Sequence, residues 1–521
     1  MPAAPLLAIP PFPGAKPPRF AEPGGEGADV TEAGALLVAL ARHRVGGCYW
    51  GRQRTLPAKP FIVDGTGKRD GDGVAAWAAD EDPWHLLAHA SGARLDDGDP
   101  RALLAFAADV PVTLREADGS ERTAGEDDAA RWLAAWLTGW RYTDPFTGTP
   151  LAPIEAIDLC GFWRRLIDAN RSIRSVMGIA YWKKPTVTAL LWGGGAVPYD
   201  RALGDPPGLA AIWRTRMSGA QARRLAKGDV PVAEIEDGFI RSQGLGADCV
   251  PPLSIIVDAR GPHFVPGTAS ELELLLQNGE FPPELLERAR TLRAAIIAAG
   301  LSKYEAGGAA ALPRPGGDRL HVLVTGQVED DRAVTSGGAI ASNLELLRRA
   351  RDHAGPDAFL IYKPHPDVLA GHRRGAIAPA DMARLADQVE TAQPMAGLIA
   401  MVDELHVNTS LAGFEALMRG KPVTVHGVPF YAGWGLTTDL GPVPPRRTAR
   451  RTLDELVAAT LLLYPRYLDP VTGLPCPAEV LVERLARTGA PRLDLRQRTI
   501  TAGRRLQGRM RSWIAGGARA R

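Results

Sequence analysis

From about residue 150 onward, short apolar and β-branched runs alternate with longer amphipathic stretches. The runs are VPVAEIED, PPLSIIVD, RLHVLVTG, AFLIYKP, VDELHVN and KPVTVHG, each about the length of one strand. Between them lie TASELELLLQNG, PELLERARTLRAAIIAAG, SNLELLRRARDHAG, SLAGFEALMRG and TLDELVAATLLLY, which read as helices. Such alternation is the pattern of βα units and a largely parallel sheet. A proline- and glycine-rich break, GGAAALPRPGGD at 307–318, divides the region, which predicts Rossmann-like domains over 151–306 and 307–480 facing a cleft. Ligands of such sheets sit beyond the carboxyl ends of the strands.

The rest of the chain reads differently. Residues 1–28 are rich in proline and glycine and are expected to be disordered. YTDPFTG at 142–148 returns as YLDPVTG at 467–473, and AFAADVPVTL at 105–114 weakly echoes ALMRGKPVTV at 416–425. The repeat suggests that a module ends twice, which makes 29–150 a shortened and inactive copy. Residues 481–521 form an arginine-rich tail with Leu506, Met510, Trp513 and Ile514 interleaved, a composition suited to an anionic membrane face.

Composition narrows the function. A net charge of +2 over 521 residues gives no global field for nucleic acid. The four cysteines, Cys48, Cys160, Cys249 and Cys476, are widely spaced and contain no C-x-x-C pair, which suits reduced thiols. The N-terminus lacks a basic stretch before an apolar one, and no apolar run reaches 18 residues, so a cytoplasmic protein is expected. Neither a P-loop nor G-x-G-x-x-G is present, which disfavours an ATPase or a simple dehydrogenase.

Four constellations follow predicted strands. EIEDGFIRSQGLGADCVPPLS carries Glu236, Asp237 and Arg241 around a glycine turn, either a salt-bridged turn or a sugar-binding loop. TGQVEDD places Glu329, Asp330 and Asp331 together. These acids can cap a helix, bind Mg²⁺, or supply a nucleophile or base. IYKPHPDV holds Lys363 and His365 on one side of an extended segment, where both can face one anion. In VNTSLAGFEALMRGKPVTVHGVPFYAGWG, Thr409 and Ser410 precede a helix whose first amides favour phosphate, and Glu415 follows within the helix. Tyr431 and Trp434 in PFYAGWG are expected on a turn at the cleft rim.

Taken in order, EDGFIRSQGLGADCVPPLSIIVD, LSKY, TGQVEDD, YKPHPDV, TSLAGFEALMRGKPV and PFYAGWGLTTD closely resemble the capsule β-Kdo transferases of the KpsC type, over about residues 155–480. The resemblance implies a retaining GT-B glycosyltransferase that uses CMP-Kdo to build the poly-Kdo linker of capsular polysaccharide on a phosphatidylglycerol-type lipid. It implies Asp331 as the nucleophile of a covalent Kdo intermediate, chosen over Asp330 by register in the motif. Lys363 and His365 would meet the CMP phosphate, Glu415 the ribose, and Gln327, Thr409, Ser410 and Gly413 the same donor pocket. Arg241, Tyr431 and Trp434 are assigned to the acceptor, and Glu236 or Asp237 to the base that activates its hydroxyl. No cofactor or metal is expected; the partners would be the glycolipid acceptor, the capsule assembly and export machinery, and the cytosolic face of the inner membrane. KpsC proteins of the usual design carry two complete modules, whereas here only the second is retained. A scaffold without catalysis, or a GT-B enzyme using another nucleotide sugar, are the competing readings.

Overall fold

The run HVLVT, His321–Thr325, is buried along its whole length, as a strand covered on both faces must be. A computed structural model of the chain describes residues 4–27, 30–57, 60–67, 71, 73–203, 208–227, 230–240, 250–302, 312–371 and 373–488. The chain divides into two compact units. One comprises Met1–Ser175, Thr188–Arg201 and Asp469–Pro475; the other comprises Val176–Val187, Ala202–Leu468 and Cys476–Arg521.

In the first unit a five-stranded sheet runs in the order Val74–Ala76, Phe61–Asp64, Ala90–Asp96, Val112–Arg115, Glu121–Thr123. All neighbours are parallel except the last pair. The expectation of a disordered N-terminus is corrected here. Leu6, Leu7, Phe12 and Phe20 are buried, Leu6 N donates to Trp136 O at 2.8 Å, and Ala21–Pro23 pairs with Trp140–Thr143. Prolines narrow the unfolded ensemble, so less entropy is lost on ordering, and the Leu and Phe side chains supply apolar burial. Phe12 stacks edge-on against Trp192 and also meets Trp163 of the helix Pro153–Asn170. That helix lies in the first unit, whose leading segment runs to Ser175, past the 150/151 division expected from the sequence.

The sequence repeat is also a repeat of local geometry. Helix Glu126–Leu133 widens into a π-turn, Ala134–Thr138, before strand Trp140–Thr143; helix Leu453–Val457 widens likewise over Ala458–Leu463 before Arg466–Leu468. In the turns that follow, Gly148 N donates to Asp144 O and Gly473 N to Asp469 O, each at 2.9 Å. Both glycines have positive φ, +77° and +70°, a conformation other residues adopt only with strain.

The second unit holds two sheets. Strands β1 (Leu209–Ile212), β2 (Val232–Asp237) and β3 (Ser254–Asp258) form a mixed sheet: β1 and β2 are parallel, while β3 runs antiparallel to β2 and to Arg466–Leu468. The other sheet contains β4 (His321–Thr325), β5 (Phe359–Lys363), β6 (Gln388–Val389), β7 (Glu404–Val407), β8 (Val423–Val425) and β9 (Thr438–Asp439). Its order, β6-β5-β4-β7-β8-β9, is parallel throughout. Numbered within this half, that is 3-2-1-4-5-6, whose direction of winding reverses between β4 and β7. Val322, Val324, Leu360 and Tyr362 pack with Leu346 and Leu347 of helix α2 (Asn343–Ala354) on one face.

Candidate functional site

In doubly wound sheets ligands sit at the reversal point, beyond the carboxyl ends of the strands, and Gln327, His365, Thr409 and Ser410 follow the carboxyl ends of β4, β5 and β7, with Lys363 the last residue of β5. Gln327, two residues past β4, accepts from Thr409 N at 2.8 Å through Oε1 and donates from Nε2 to Thr409 Oγ1 at 3.0 Å. One amide side chain thus locks the loop after β4 to the loop after β7. Gly326 N donates to Lys363 O at 2.9 Å, which brings the end of β5 alongside. Lys363 Nζ donates to Gln393 O at 2.6 Å. His365 caps helix α3 (Pro366–Leu369), its Nδ1 accepting from Asp367 N at 3.2 Å. Ser410 caps helix α4 (Leu411–Met418) through Ala412 N, and Glu415 is buried within that helix.

The three clustered acids do not share one partner. Glu329 accepts from Asn343 N at 2.8 Å at the start of α2. Asp330 is exposed and pairs with Arg373 at 3.1 Å. Asp331, also exposed, caps helix α1 (Arg332–Gly337), its Oδ1 accepting from Ala333 N at 2.9 Å. Each charge is thus satisfied separately, by an amide or a guanidinium: Asp331 caps its own helix, and Glu329 takes the first amide of α2, which Ser342 caps.

Arg332, which follows the acids, was not singled out by sequence reasoning and is the principal bridge to the other sheet. Its Nη1 donates to Glu236 Oε1 and its Nη2 to Glu234 Oε2, both at 3.0 Å. Arg214 Nε also donates to Glu234, at 2.6 Å. Glu236 lies on β2 with its side chain 16% exposed. Burial, with help from the neighbouring charge of Asp237, pushes its carboxyl up to about 7 against the pull of Arg332. Asp237 is paired with Lys183 at 2.7 Å, and that ammonium sits 3.5 Å from the centre of the Trp213 ring. The signal for Arg332 was the placement of a cation directly after three acids.

Other expectations are corrected. Tyr431 and Trp434 are completely buried rather than at a rim. Tyr431 donates its hydroxyl to Ser410 O at 2.5 Å, and Trp434 Nε1 donates to Phe430 O at 2.8 Å. Both polar ends are used inside the fold, so PFYAGWG is a packed turn supporting α4. Gly413 serves the same packing: a Cβ there would lie 2.2 Å from the Tyr431 hydroxyl. Arg241, LSKY beyond Ser302, Cys249 and residues 489–521 lie outside the described residues. Counting seven residues back from the shared Pro-Val-Thr reaches Glu415 from Pro422 in the second unit and Leu104, fully buried, from Pro111 in the first.

A mixed sheet and a doubly wound parallel sheet, joined by ion pairs beside the carboxyl edge of the latter, define an α/β protein of GT-B-like fold. Comparison with known proteins then fixes its family. The capsule polysaccharide biosynthesis protein family matches residues 211–467. A solved structure described as Thermosulfurimonas dismutans KpsC, beta Kdo 2,4 transferase, superposes with a TM-score of 0.54 at 32% identity, covering 61% of this chain and 98% of that one. The capsule polysaccharide modification protein LipA of Neisseria meningitidis serogroup A is 38% identical over 382 residues, 71% of this chain and 53% of LipA. The lipopolysaccharide-processing protein LpsZ of Rhizobium meliloti is 42% identical over 291 residues, 55% of this chain and 66% of LpsZ. The chain belongs to the KpsC-like capsule polysaccharide family, matching its C-terminal module. It spans about half the length of LipA.

Proposed function

We propose that the chain is a retaining glycosyltransferase that moves β-Kdo from CMP-Kdo to a Kdo-bearing glycolipid acceptor of capsule assembly. The observation that carries this reading is that the loop after β4, at the winding reversal, holds Gln327 against Thr409 and sends Arg332 to Glu236, a carboxyl held near 7, on the other sheet. The similarity to the solved chain described as a KpsC beta Kdo 2,4 transferase, covering 98% of that chain, supports the sugar class.

In the proposed reaction the CMP moiety lies over the ends of β5 and β7, its phosphate toward Lys363 and His365 and its ribose toward Glu415, with Gln327 and Thr409 fixing the loops between. The anomeric carbon of Kdo is quaternary and bears a carboxylate, so an oxocarbenium-like state is accessible. The Asp331 carboxylate attacks that carbon, the bond to the phosphate oxygen breaks, and CMP leaves with the electron pair. An acceptor hydroxyl then attacks the Asp331-bound carbon, giving its proton to Glu236 and releasing the carboxylate. A base with a pKa near the working pH suits that step, because it is both largely available and strong enough to take a proton. Asp237, beside Glu236, is taken up by its pairing with Lys183 at 2.7 Å, so Glu236 is the carboxyl assigned to the proton transfer.

Among the described residues no helix is long and apolar enough to cross a membrane, so access to a lipid acceptor would be from the membrane surface. Intact-mass measurement after incubation with CMP-Kdo, on wild type, Asp331→Ala and Asp330→Ala, tests the mechanism. A Kdo-sized adduct in wild type and Asp330→Ala but not Asp331→Ala is expected. If Asp331→Ala still transfers Kdo at the wild-type rate, the nucleophile assignment fails; if no protein transfers Kdo to a Kdo glycolipid, the function fails.

A further inference from the structure

Three of the chain's ten histidines, His353, His406 and His426, gather where α2 meets β7 and β8 of the parallel sheet. Glu404 and His406 are two residues apart on β7, so they project from the same face. Thr424 is the register partner of His406 on β8, and His426 follows two residues later on that same face. His353 comes from the last turn of α2 and is exposed. The ligating atoms of His353, Glu404 and His406 all lie within 4.8 Å of one another.

Their surroundings are those of a built site. His406 and His426 are buried, at 0% and 1% exposure. His406 Nδ1 is 3.1 Å from His426 Nε2, one of the two carrying the shared proton. The other ring nitrogen, His406 Nε2, lies 3.2 Å from Glu404 Oε1 but makes no hydrogen bond of acceptable geometry. Glu404 is held in turn by Thr424, whose hydroxyl donates to Oε1 at 2.5 Å. A fully buried imidazole nitrogen is thus aimed at a carboxylate oxygen without a proper bond, beside a solvent-facing histidine that completes a triangle.

We propose that His353, Glu404 and His406 bind a divalent transition-metal ion of the zinc class, with His426 as the outer partner that orients His406. Two imidazoles and one carboxylate form a donor set that suits zinc, cobalt or nickel better than calcium or magnesium. Metal–ligand bonds of about 2.0–2.1 Å in a tetrahedral site place neighbouring ligand atoms about 3.3 Å apart. His406 Nε2 and Glu404 Oε1 already stand at 3.2 Å. Rotation of the exposed His353 closes the third side, leaving the fourth position to water. On binding, His406 Nε2 coordinates through its lone pair and Nδ1 carries the proton, donating to His426 Nε2; this fixes the ring as outer partners of ligating histidines do. The ion would staple α2 to β7, the strand that leads directly into Thr409 and Ser410. None of these residues is among those assigned to the donor above.

Titration of the chelator-treated full chain with Co²⁺, followed by visible absorption, tests the site. One equivalent of Co²⁺ should give a d–d band that Zn²⁺ abolishes. His353→Ala and Glu404→Gln should each weaken Co²⁺ binding by at least about tenfold. His353 is exposed, so His353→Ala should keep the metal-free melting temperature of the parent. No stoichiometric band in the wild type, or an unchanged affinity in His353→Ala, overturns the proposal.

Discussion

Glu236→Gln is the most informative substitution, because it removes the charge of a group whose ionisation the fold opposes while preserving shape. Burial is the largest cause of the upward shift, and it exceeds the stabilisation supplied by Arg332 at 3.0 Å. Moving a carboxyl from 4.5 to about 7 corresponds to about 3 kcal/mol at 1.36 kcal/mol per pKa unit. The sign follows from proton binding. Between pH 4.5 and 7 the folded chain keeps a proton that the unfolded chain has lost, so stability falls as pH rises through that window and is level above it. Below that window wild type and Glu236→Gln both present a neutral group to Arg332 and should melt together. At pH 8.5 the glutamine form should be the more stable by about 3 kcal/mol, several degrees in melting temperature for a unit of this size. The assay is thermal unfolding of both proteins from pH 4.5 to 8.5, read as the difference between them so that all other groups cancel. In parallel, Glu236→Gln should slow transfer to the acceptor by about 10²–10⁴-fold while leaving the Asp331 adduct to accumulate. Parallel melting curves across the whole range would refute the argument, since Glu236 would then ionise in the ordinary carboxylate range and lose its claim as the base.

Arg332→Met should raise the pH midpoint of Glu236-dependent transfer, because the cation it removes is the chief group favouring the carboxylate; a pH–rate profile measures it. Gln327→Ala breaks both bonds to Thr409 and should weaken CMP binding by roughly tenfold, about 1.4 kcal/mol by calorimetry, with little change in melting temperature. Gly413→Ala drives a methyl into the Tyr431 hydroxyl and should destabilise the second unit by about 1–3 kcal/mol. Adding Tyr431→Phe to it should recover part of that loss in urea unfolding, because the closest contact is with the oxygen.

Much of the placement of the candidate site residues was legible because they follow strands, and strands announce themselves locally. The buried runs HVLVT and FLIYK, and the candidate chemistry at their ends or within six residues after them, required only the period and length of apolar stretches. The N-terminal segment was misjudged because proline content was weighed above its four large apolar side chains, which are buried. PFYAGWG was misjudged because glycine, tyrosine and tryptophan suit either a ligand rim or a packed turn, and the choice depends on whether a hydroxyl and an indole find partners inside. Here they find Ser410 O and Phe430 O.

By itself the sequence determined the alternation of strands and helices, the loops that carry acids, Lys363, His365, Thr409 and Ser410, and the duplicated turn with its obligatory glycines. Those features depend on residues close together in the chain. The tertiary structure decided strand order, and with it everything that depends on neighbours brought from afar: the winding reversal between β4 and β7, the reach of Arg332 to Glu234 and Glu236 across 98 and 96 positions, and the meeting of His353, Glu404, His406 and His426. Which charge is satisfied by which partner, and which carboxyl is pushed out of its normal range, follows from burial and distance. Both are properties of the closed fold that no local pattern encodes.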